Sequence, residues 1–422
     1  MLSEADNQLL CRVEGDAPMG RMLRDNFWVP AIRSARLEPD GAPIRLKFFG
    51  DDYVVFRSTD GRVGFFDEAC PHRRASMALG RNEGNGLRCI FHGWKIDVSG
   101  KVVEMPNEHR DPERMCAKVK VGHYPTREVV GMVWVYLGAK AEPPPLQNFE
   151  FMTLPEEHVR ILTVDIPCNW INSVEASIDD AHVGILHASF MDVYKDRRPH
   201  EVVAGPPAYE VDQHPYGFQG TVLRSLPGGR SMASSTHFAM PWFGFTSTGR
   251  PDAPGATRRA VHVAIPIDDY NYRQVFFSYD VNSPAENFFA GATEYDQDNF
   301  APPLGGPETV WGQDREAMKN GHFSGFLSNL TSEDTAIQMS QGAIPDRTHE
   351  VLCSSDKAIG FMRHTLIQAA RDYQAGKVPL GAAPGIDWSK IRSRLAFVEP
   401  GENWRDKLAA APDFRVPAVA LT

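Results

Sequence analysis

Hydrophobic and polar positions alternate along two separate stretches of the chain, with segments of helical period around them. In the first stretch, strands are predicted at 44–49, 53–56 and 63–66, separated by turns at Gly50-Asp51-Asp52 and Thr59-Asp60-Gly61. An Asp-Gly step between β-rich runs is a hairpin signal. Residues 94–97 and 100–103 read as another hairpin, and 119–121 with 132–137 close a small all-β domain. Ahead of it, Pro18-Met19-Gly20 and the run ending Phe27-Trp28-Val29-Pro30 predict a short helical lead-in. Glu142-Pro143-Pro144-Pro145 is the most linker-like segment, because successive prolines forbid helix and favour extended chain. The boundary is placed there, dividing the chain into domains at 1–145 and 146–422.

Beyond it, a strand is predicted at 159–166 and an apolar-polar mixture of helical period at 168–182. Strands dominate 201–282, with turns at Pro227-Gly228-Gly229 and Pro251-Asp252, and they are clearest at 238–245, 260–265 and 273–281. Helices return after 312, at 332–342 and at 356–373, the latter with Ser354 or Ser355 as N-cap and Gly376 as C-cap. Strands followed by helices make an α+β pattern: an N-terminal all-β domain, then a C-terminal domain with an antiparallel sheet flanked by helices.

Charge narrows the partners. The formal net charge of −10 offers no basic field to displace counterions from nucleic acid, so nucleic acid is excluded as a partner and an acidic substrate must be held by local Arg or Lys. The N-terminus carries acids where a signal peptide needs a basic region, and no apolar run approaches a membrane span, so a cytoplasmic protein is expected.

Candidate chemistry is densest between 70 and 92. Cys70-Pro71-His72 and Cys89-Ile90-Phe91-His92 are two short pairs, each with one Cys and one His. Such a set can hold a tetrahedral zinc or a 2Fe-2S cluster with the Cys on one iron and the His on the other. Zinc fingers usually keep their two Cys and two His as like pairs. Mixed pairing instead suits two loops gripping a diamond-shaped cluster from its ends. The motif resembles the Rieske cluster motif at all four ligand positions, which implies an electron relay at Cys70, His72, Cys89 and His92. The other four Cys, at 11, 116, 168 and 353, lack any disulfide spacing and are expected as reduced thiols.

A second constellation follows about ninety residues later. On a continuous helix Glu175, Asp179 and His182 share one face, whereas His187 falls off it. For both His to meet one metal the helix must end or widen between them, and Gly184 is the residue that permits this. Two His and a carboxylate with open positions form the facial triad of non-haem iron oxygenases. The string from Glu175 to His187 resembles the mononuclear-iron segment of Rieske-type aromatic-ring oxygenases. The segment from Leu330 to Arg347 is similar to the one carrying the ligand Asp in the phthalate dioxygenase branch. That match selects Asp334, with Glu333 adjacent and chemically equivalent.

The resemblance implies further roles. Asp179 would hydrogen-bond an iron-site His and, across a subunit boundary, a cluster His, with Glu175 in support. Assembly would be a head-to-tail homotrimer, or two stacked as a hexamer, with the cluster of one chain feeding the iron of the next. Electrons would come from NADH through a separate flavin and iron-sulfur reductase, and O2 would oxidise an aromatic acid. The outcome would be ring dihydroxylation of a phthalate- or benzoate-type acid, or demethylation of a methoxylated one. A Rieske electron carrier without oxygenase activity is the reading from a different class, and it would contain only the first metal centre. A carboxylate substrate calls for an Arg fork. Arg198 and Arg224 are the candidates, while Ser234 stands where the branch has a second Arg. Met240, Trp242, Phe243 and Phe245 are read as one strand that could line an aromatic pocket.

Overall fold

The computed structural model describes residues 2–193, 208–247, 258–285, 296–300 and 305–411. Its contacts divide the chain into two units, 13–146 and 147–422, the latter together with residues 1–12.

The first unit is built from three small antiparallel sheets. Strands Ile44–Phe48, Asp51–Arg57 and Val63–Asp67 form a meander. Its first turn sits one residue earlier than the sequence reading placed it: Phe49 and Gly50 both take positive φ, the two-residue hairpin geometry that matches strand twist. Arg81–Glu83, Gly86–Arg88, Lys95–Asp97 and Val102–Glu104 make a four-stranded sheet. Val29–Arg33, Met132–Val135 and Thr126–Val129 make the third. Residues 119–121 are not a strand. A helix, Pro112–Lys118, precedes them, capped by Asp111 and opened by Pro112, a start signal that the strand reading passed over.

In the second unit the sheet order is β1 (Val159–Ile166), β7 (Tyr272–Asp280), β6 (Arg258–Pro266), β5 (Phe243–Ser247), β4 (Ser231–Ala239), β3 (Gly217–Ser225) and β2 (Ala208–His214), all antiparallel. An eighth strand, β8 (Leu395–Val398), pairs with the first half of β4. The single strand expected at 238–245 is in fact a hairpin. Pro241 interrupts the run, as a residue that cannot donate to a ladder, so Met240 and Trp242 lie in the turn between β4 and β5.

One sheet face packs on Phe149 and Phe151, which touch Phe243, Phe245 and Phe277 with ring centroids 4.6 to 5.3 Å apart. Each buried ring contributes roughly 1.5–3 kcal/mol. The opposite face is covered by helices. A Cβ on Gly244 of β5 would collide with Ser177 of helix α2 (Trp170–Ile178), so glycine is what allows that helix to lie against the strand. Phe361 of helix α5 (Lys357–Gln374) meets Phe218 edge-on nearby.

The N-terminal helix α1 (Glu4–Cys11), grouped by the sequence reading with the first domain, packs on the second unit. Asn7 donates to the Pro345 carbonyl at 3.0 Å, and Asn169 donates to the Cys11 carbonyl at 3.0 Å. Sequence proximity to the first domain misleads here because the partners of α1 lie more than 150 residues away.

Candidate metal centres

In the first unit, the two Cys-His pairs sit on loops closed in the same way. Cys70 N–H donates to Ala75 and Arg74 N–H returns to the Cys70 carbonyl, at 2.8 and 2.9 Å; Cys89 and Trp94, then Gly93 and Cys89, repeat this at the same distances. The fifth residue of each loop, Arg74 or Gly93, has positive φ. A Cβ on Gly93 would also crowd Pro106, so glycine serves both the turn and its packing.

His72 and His92 meet edge-on with centroids 4.5 Å apart, and His72 stacks on Trp94 at 4.7 Å. Cys70 and Cys89 are buried, and the Nδ1 atoms of both His are buried without a hydrogen-bond partner. Burial pushes the Cys70 thiol up to about 11, the N–H of His72 opposes this, and the Cys89 sulfur adds to the rise. Two neighbouring buried thiols with two orphaned imidazole nitrogens fit a cluster that takes two thiolates and two neutral His.

In the second unit, Asn169 caps α2, which ends at Ile178. The sequence reading carried this helix through His182 and let Gly184 permit the break; the helix instead stops at Ile178, four residues short of His182. Asp179 leaves the helix with extended backbone and accepts from Ala181 N–H at 2.9 Å, a local turn that competes with another helical residue. A 3₁₀ turn, His182–Gly184, and helix α3 (Ala188–Val193) follow. On the far side, helix α4 (Leu330–Ser340) is capped by Asn329, leaving Glu333 at the end of its first turn and Asp334 directly after it for other work.

The pieces converge. Asp334 Oδ1 lies 3.5 Å from His182 Nε2 and 3.2 Å from His187 Nε2, and the three donor atoms fall within 4.8 Å of one another. Behind the rings, His182 Nδ1 is 3.0 Å from Asp179 and His187 Nδ1 is 2.6 Å from Glu333, which also accepts from Ser324. Each carboxylate fixes its imidazole with the proton on Nδ1 and Nε2 facing inward, as a metal requires. Asp334 and Glu333 therefore have different places: Asp334 completes the donor set, and Glu333 is the fully buried support of His187. Hydrogen bonds to Asp179 and Asp334 outweigh burial and bring His182 up to about 10, while the same His pair holds Asp334 well below the usual carboxylate range. Two imidazole Nε2 atoms and one carboxylate oxygen, each ring held from behind through Nδ1, form a facial triad suited to iron, which would take both His in their neutral form.

Both halves of the chain match known families: residues 27–125 the Rieske (2Fe-2S) domain, and residues 135–416 the LigXa C-terminal domain like family. The phthalate 4,5-dioxygenase oxygenase subunit of Pseudomonas putida is 38% identical, over 99% of this chain and all of that protein. The chain belongs to the Rieske oxygenase family.

A second relative, the 5,5'-dehydrodivanillate O-demethylase oxygenase subunit of a Sphingobium species, is 31% identical over 90% of this chain and 83% of that protein. The crystal structure of dicamba monooxygenase bound to dicamba shares the fold, with a TM-score of 0.58 at 17% identity, covering 84% of this chain and 99% of that one. As a Rieske oxygenase subunit, the protein carries a 2Fe-2S cluster and a mononuclear iron, so neither a zinc module nor a plain electron carrier describes it.

Other residues singled out from the sequence stand elsewhere. The Glu175 side chain turns away from Asp179 and His182, and only its backbone carbonyl accepts from Asp179 N–H, at 3.1 Å. With the helix ending at Ile178, the side chain points instead into a buried cluster where Arg347 and Arg363 bind its Oε1 at 2.9 and 2.7 Å, holding its carboxyl below the usual range against burial. Arg347 also donates to Asn172 at 3.0 Å and to the Cys11 sulfur at 3.3 Å, and Arg363 to Glu350 at 2.5 Å. Arg224 is a buried ion-pair partner of Asp180, whose carbonyl it also bonds at 2.9 Å, so it is engaged by the protein and not poised as a substrate fork. Trp242 is buried in the β4–β5 turn on no common strand with Phe243. Arg198 lies outside the described residues. Sequence reasoning missed Arg347 and Arg363; a lone Arg carries no local sign of a partner more than 170 residues away.

Substituting Glu333 with Gln removes the charge behind His187 and is expected to weaken iron binding by about 10–100-fold. Titration of Fe(II) against a competing chelator measures it, with unchanged cluster absorbance as the control.

Proposed function

We propose that the protein is the terminal oxygenase of a multicomponent system that oxidises an aromatic carboxylic acid with O2, receiving NADH-derived electrons from a flavin and iron-sulfur reductase. The observation that carries this is the joining of His182, His187 and Asp334, from segments nearly 150 residues apart, in a chain that also presents the Cys70, His72, Cys89 and His92 set. Those four residues would hold the cluster, and the three would hold the iron. When bound, the cluster supplies single electrons and the iron the chemistry of O2 activation.

The chain's own residues do the rest. Asp179 and Glu333 keep the His rings oriented with their Nδ1 protons in place, and Asp334 brings the counter-charge. Ring dihydroxylation of a phthalate- or benzoate-type acid is favoured by the 38% identical relative, a phthalate dioxygenase subunit. Demethylation of a methoxylated acid is the second reading, favoured by the O-demethylase relative and by Ser234 standing where a second Arg would serve a dicarboxylate. Arg198 is retained as the proposed carboxylate fork.

Oxygen uptake with a panel of aromatic acids, followed by product mass, decides. Gain of two oxygens and two hydrogens means dihydroxylation, and loss of one methylene means demethylation. Absence of substrate-dependent uptake with every acid, in protein carrying both metals, contradicts the proposal.

The assembly we propose is a head-to-tail homotrimer acting in the cytoplasm, alone or stacked in pairs. Leu79, Ile90 and Phe91 stand 66%, 60% and 54% exposed beside the cluster loops, apolar surface that a lone chain leaves in water. Ile185, Phe323 and Leu327 are exposed likewise near the iron-site segments. A Leu79→Glu/Ile90→Glu variant is expected to sediment as a monomer, keep its cluster absorbance and lose turnover. A variant that stays trimeric and active removes this surface from the interface.

A further inference from the structure

The turn that ends α2 is held from the sheet as well as from the helix. Asp180 lies just past the helix, where its backbone groups have lost their helical partners, and a buried N–H or C=O must find another. Its N–H donates to the Tyr209 hydroxyl of β2 at 2.8 Å. Its carbonyl accepts from Arg224 of β3 at 2.9 Å, and its carboxylate accepts from the same guanidinium through Nε at 3.1 Å. Tyr209 pairs with Val222 across the β2–β3 ladder, and Arg224 stands two residues further along β3, so both side chains leave one face of the hairpin. Asp180, Tyr209 and Arg224 are all buried.

These bonds do more than seal a helix end. A peptide unit is planar, so whatever holds its oxygen also aims its N–H. The Asp180 carbonyl and the Ala181 N–H belong to one plane: Arg224 grips the oxygen end, and the N–H end donates to Asp179 Oδ1 at 2.9 Å. The preceding plane joins the Asp179 carbonyl to the Asp180 N–H, which Tyr209 holds. Two consecutive peptide planes are therefore fixed from β2 and β3. Together they place the Asp179 carboxylate, whose Oδ2 lies 3.0 Å from His182 Nδ1. His187 is supported separately, by Glu333 of α4.

We propose that Arg224 and Tyr209 are positioning residues of the iron site, which set the orientation of His182 by fixing the Asp179 carboxylate behind it. This rests on the reading of His182, His187 and Asp334 as the metal centre. The choice of arginine matters. A lysine at 224 would keep the charge opposite Asp180 but, as a point charge, could not bond the carboxylate and the carbonyl in one fork. The bond to the carbonyl is the one that holds the peptide plane.

The test uses the full-length protein carrying its cluster, and three variants. Arg224→Lys and Tyr209→Phe each remove one hold on Asp180. Arg259→Lys is the control, because it weakens the buried pair with Glu150, which packs beside Phe151 and takes no part in the turn. Competition with a chelator gives the Fe(II) affinity. Electron paramagnetic resonance of the nitric oxide adduct of the ferrous site, with the cluster oxidised and silent, reports the geometry of the donors. Thermal unfolding and cluster absorbance are read alongside. In Arg224→Lys and Tyr209→Phe, Fe(II) is expected to bind about tenfold more weakly, the low end of what losing a group behind a metal-bound His costs, and the adduct signal to split into more than one species. In Arg259→Lys the melting temperature is expected to fall while affinity and signal stay as in the wild type. Wild-type affinity and signal in either Arg224→Lys or Tyr209→Phe overturn the inference. So does an equal change in Arg259→Lys, which would mark the effect as general loss of stability. A wild type that takes up no iron beyond its cluster counts against the metal-centre reading itself, and the inference falls with it.

Discussion

Substituting His187 with Ala is expected to abolish substrate-dependent oxygen uptake and to empty the iron site while the 2Fe-2S absorbance stays unchanged. His187 supplies one of three donors, is 6% exposed on its side chain, and is gripped from behind by Glu333, so no neighbour can replace its Nε2. The reciprocal variant, Cys89→Ser, is expected to lose the cluster and retain the iron, because the two donor sets belong to separately packed units. Turnover disappears in both, for different reasons. Metal analysis with absorbance separates them, and loss of both centres in either single variant contradicts the assignment of independent sites.

The second large effect is structural. Glu175→Gln leaves Arg347 and Arg363 facing a neutral amide in a buried pocket, at an expected cost of about 3–5 kcal/mol. Urea unfolding of the second unit measures it. Arg347 ties α2 to the segment that follows α4, through Glu175 and Asn172, and α1 closes over it through Asn7 and Cys11. The two segments that bring His182 and Asp334 together are thus also joined through this cluster, and weaker iron retention is expected with the lost stability. Combining Glu175→Gln with Arg347→Met removes both sides of the pair, so the double variant is expected to be less destabilised than the sum of the singles. Strict additivity would show that the pair does not act as a unit.

How much of this was legible in the sequence depended on distance along the chain. Cys70 to His92 could be read outright, because each pair of donors is set by one short loop with its own turn residue. His182 and His187 could be read as a pair needing a break, but not where the break falls. Helical periodicity runs on through Asp179, and only the turn that its side chain makes with Ala181 stops it.

Asp334 was reachable only through resemblance, since nothing local tells it from Glu333. What separates them is the rotation of α4, which sends one carboxylate to the two Nε2 atoms and the other to a single Nδ1. Glu175 and Arg224 were misread for one shared reason. A charged residue near a metal motif looks functional until its opposite charge is located, and Arg347 and Asp180 become visible as partners only in the fold. The strand drawn from 238 to 245 ignored Pro241, a signal that was in the sequence. The place of α1 was not, because its contacts are all remote.

Iron and acid-labile sulfide counted per chain in the purified protein, beside the His182→Ala/His187→Ala double variant, test most directly whether two distinct iron centres occupy this fold. The account predicts about three irons and about two sulfides in the wild type, falling to about two irons with sulfide unchanged in the variant. Equal iron and sulfide in the fully loaded wild type, or a third iron that survives loss of both His, would contradict it.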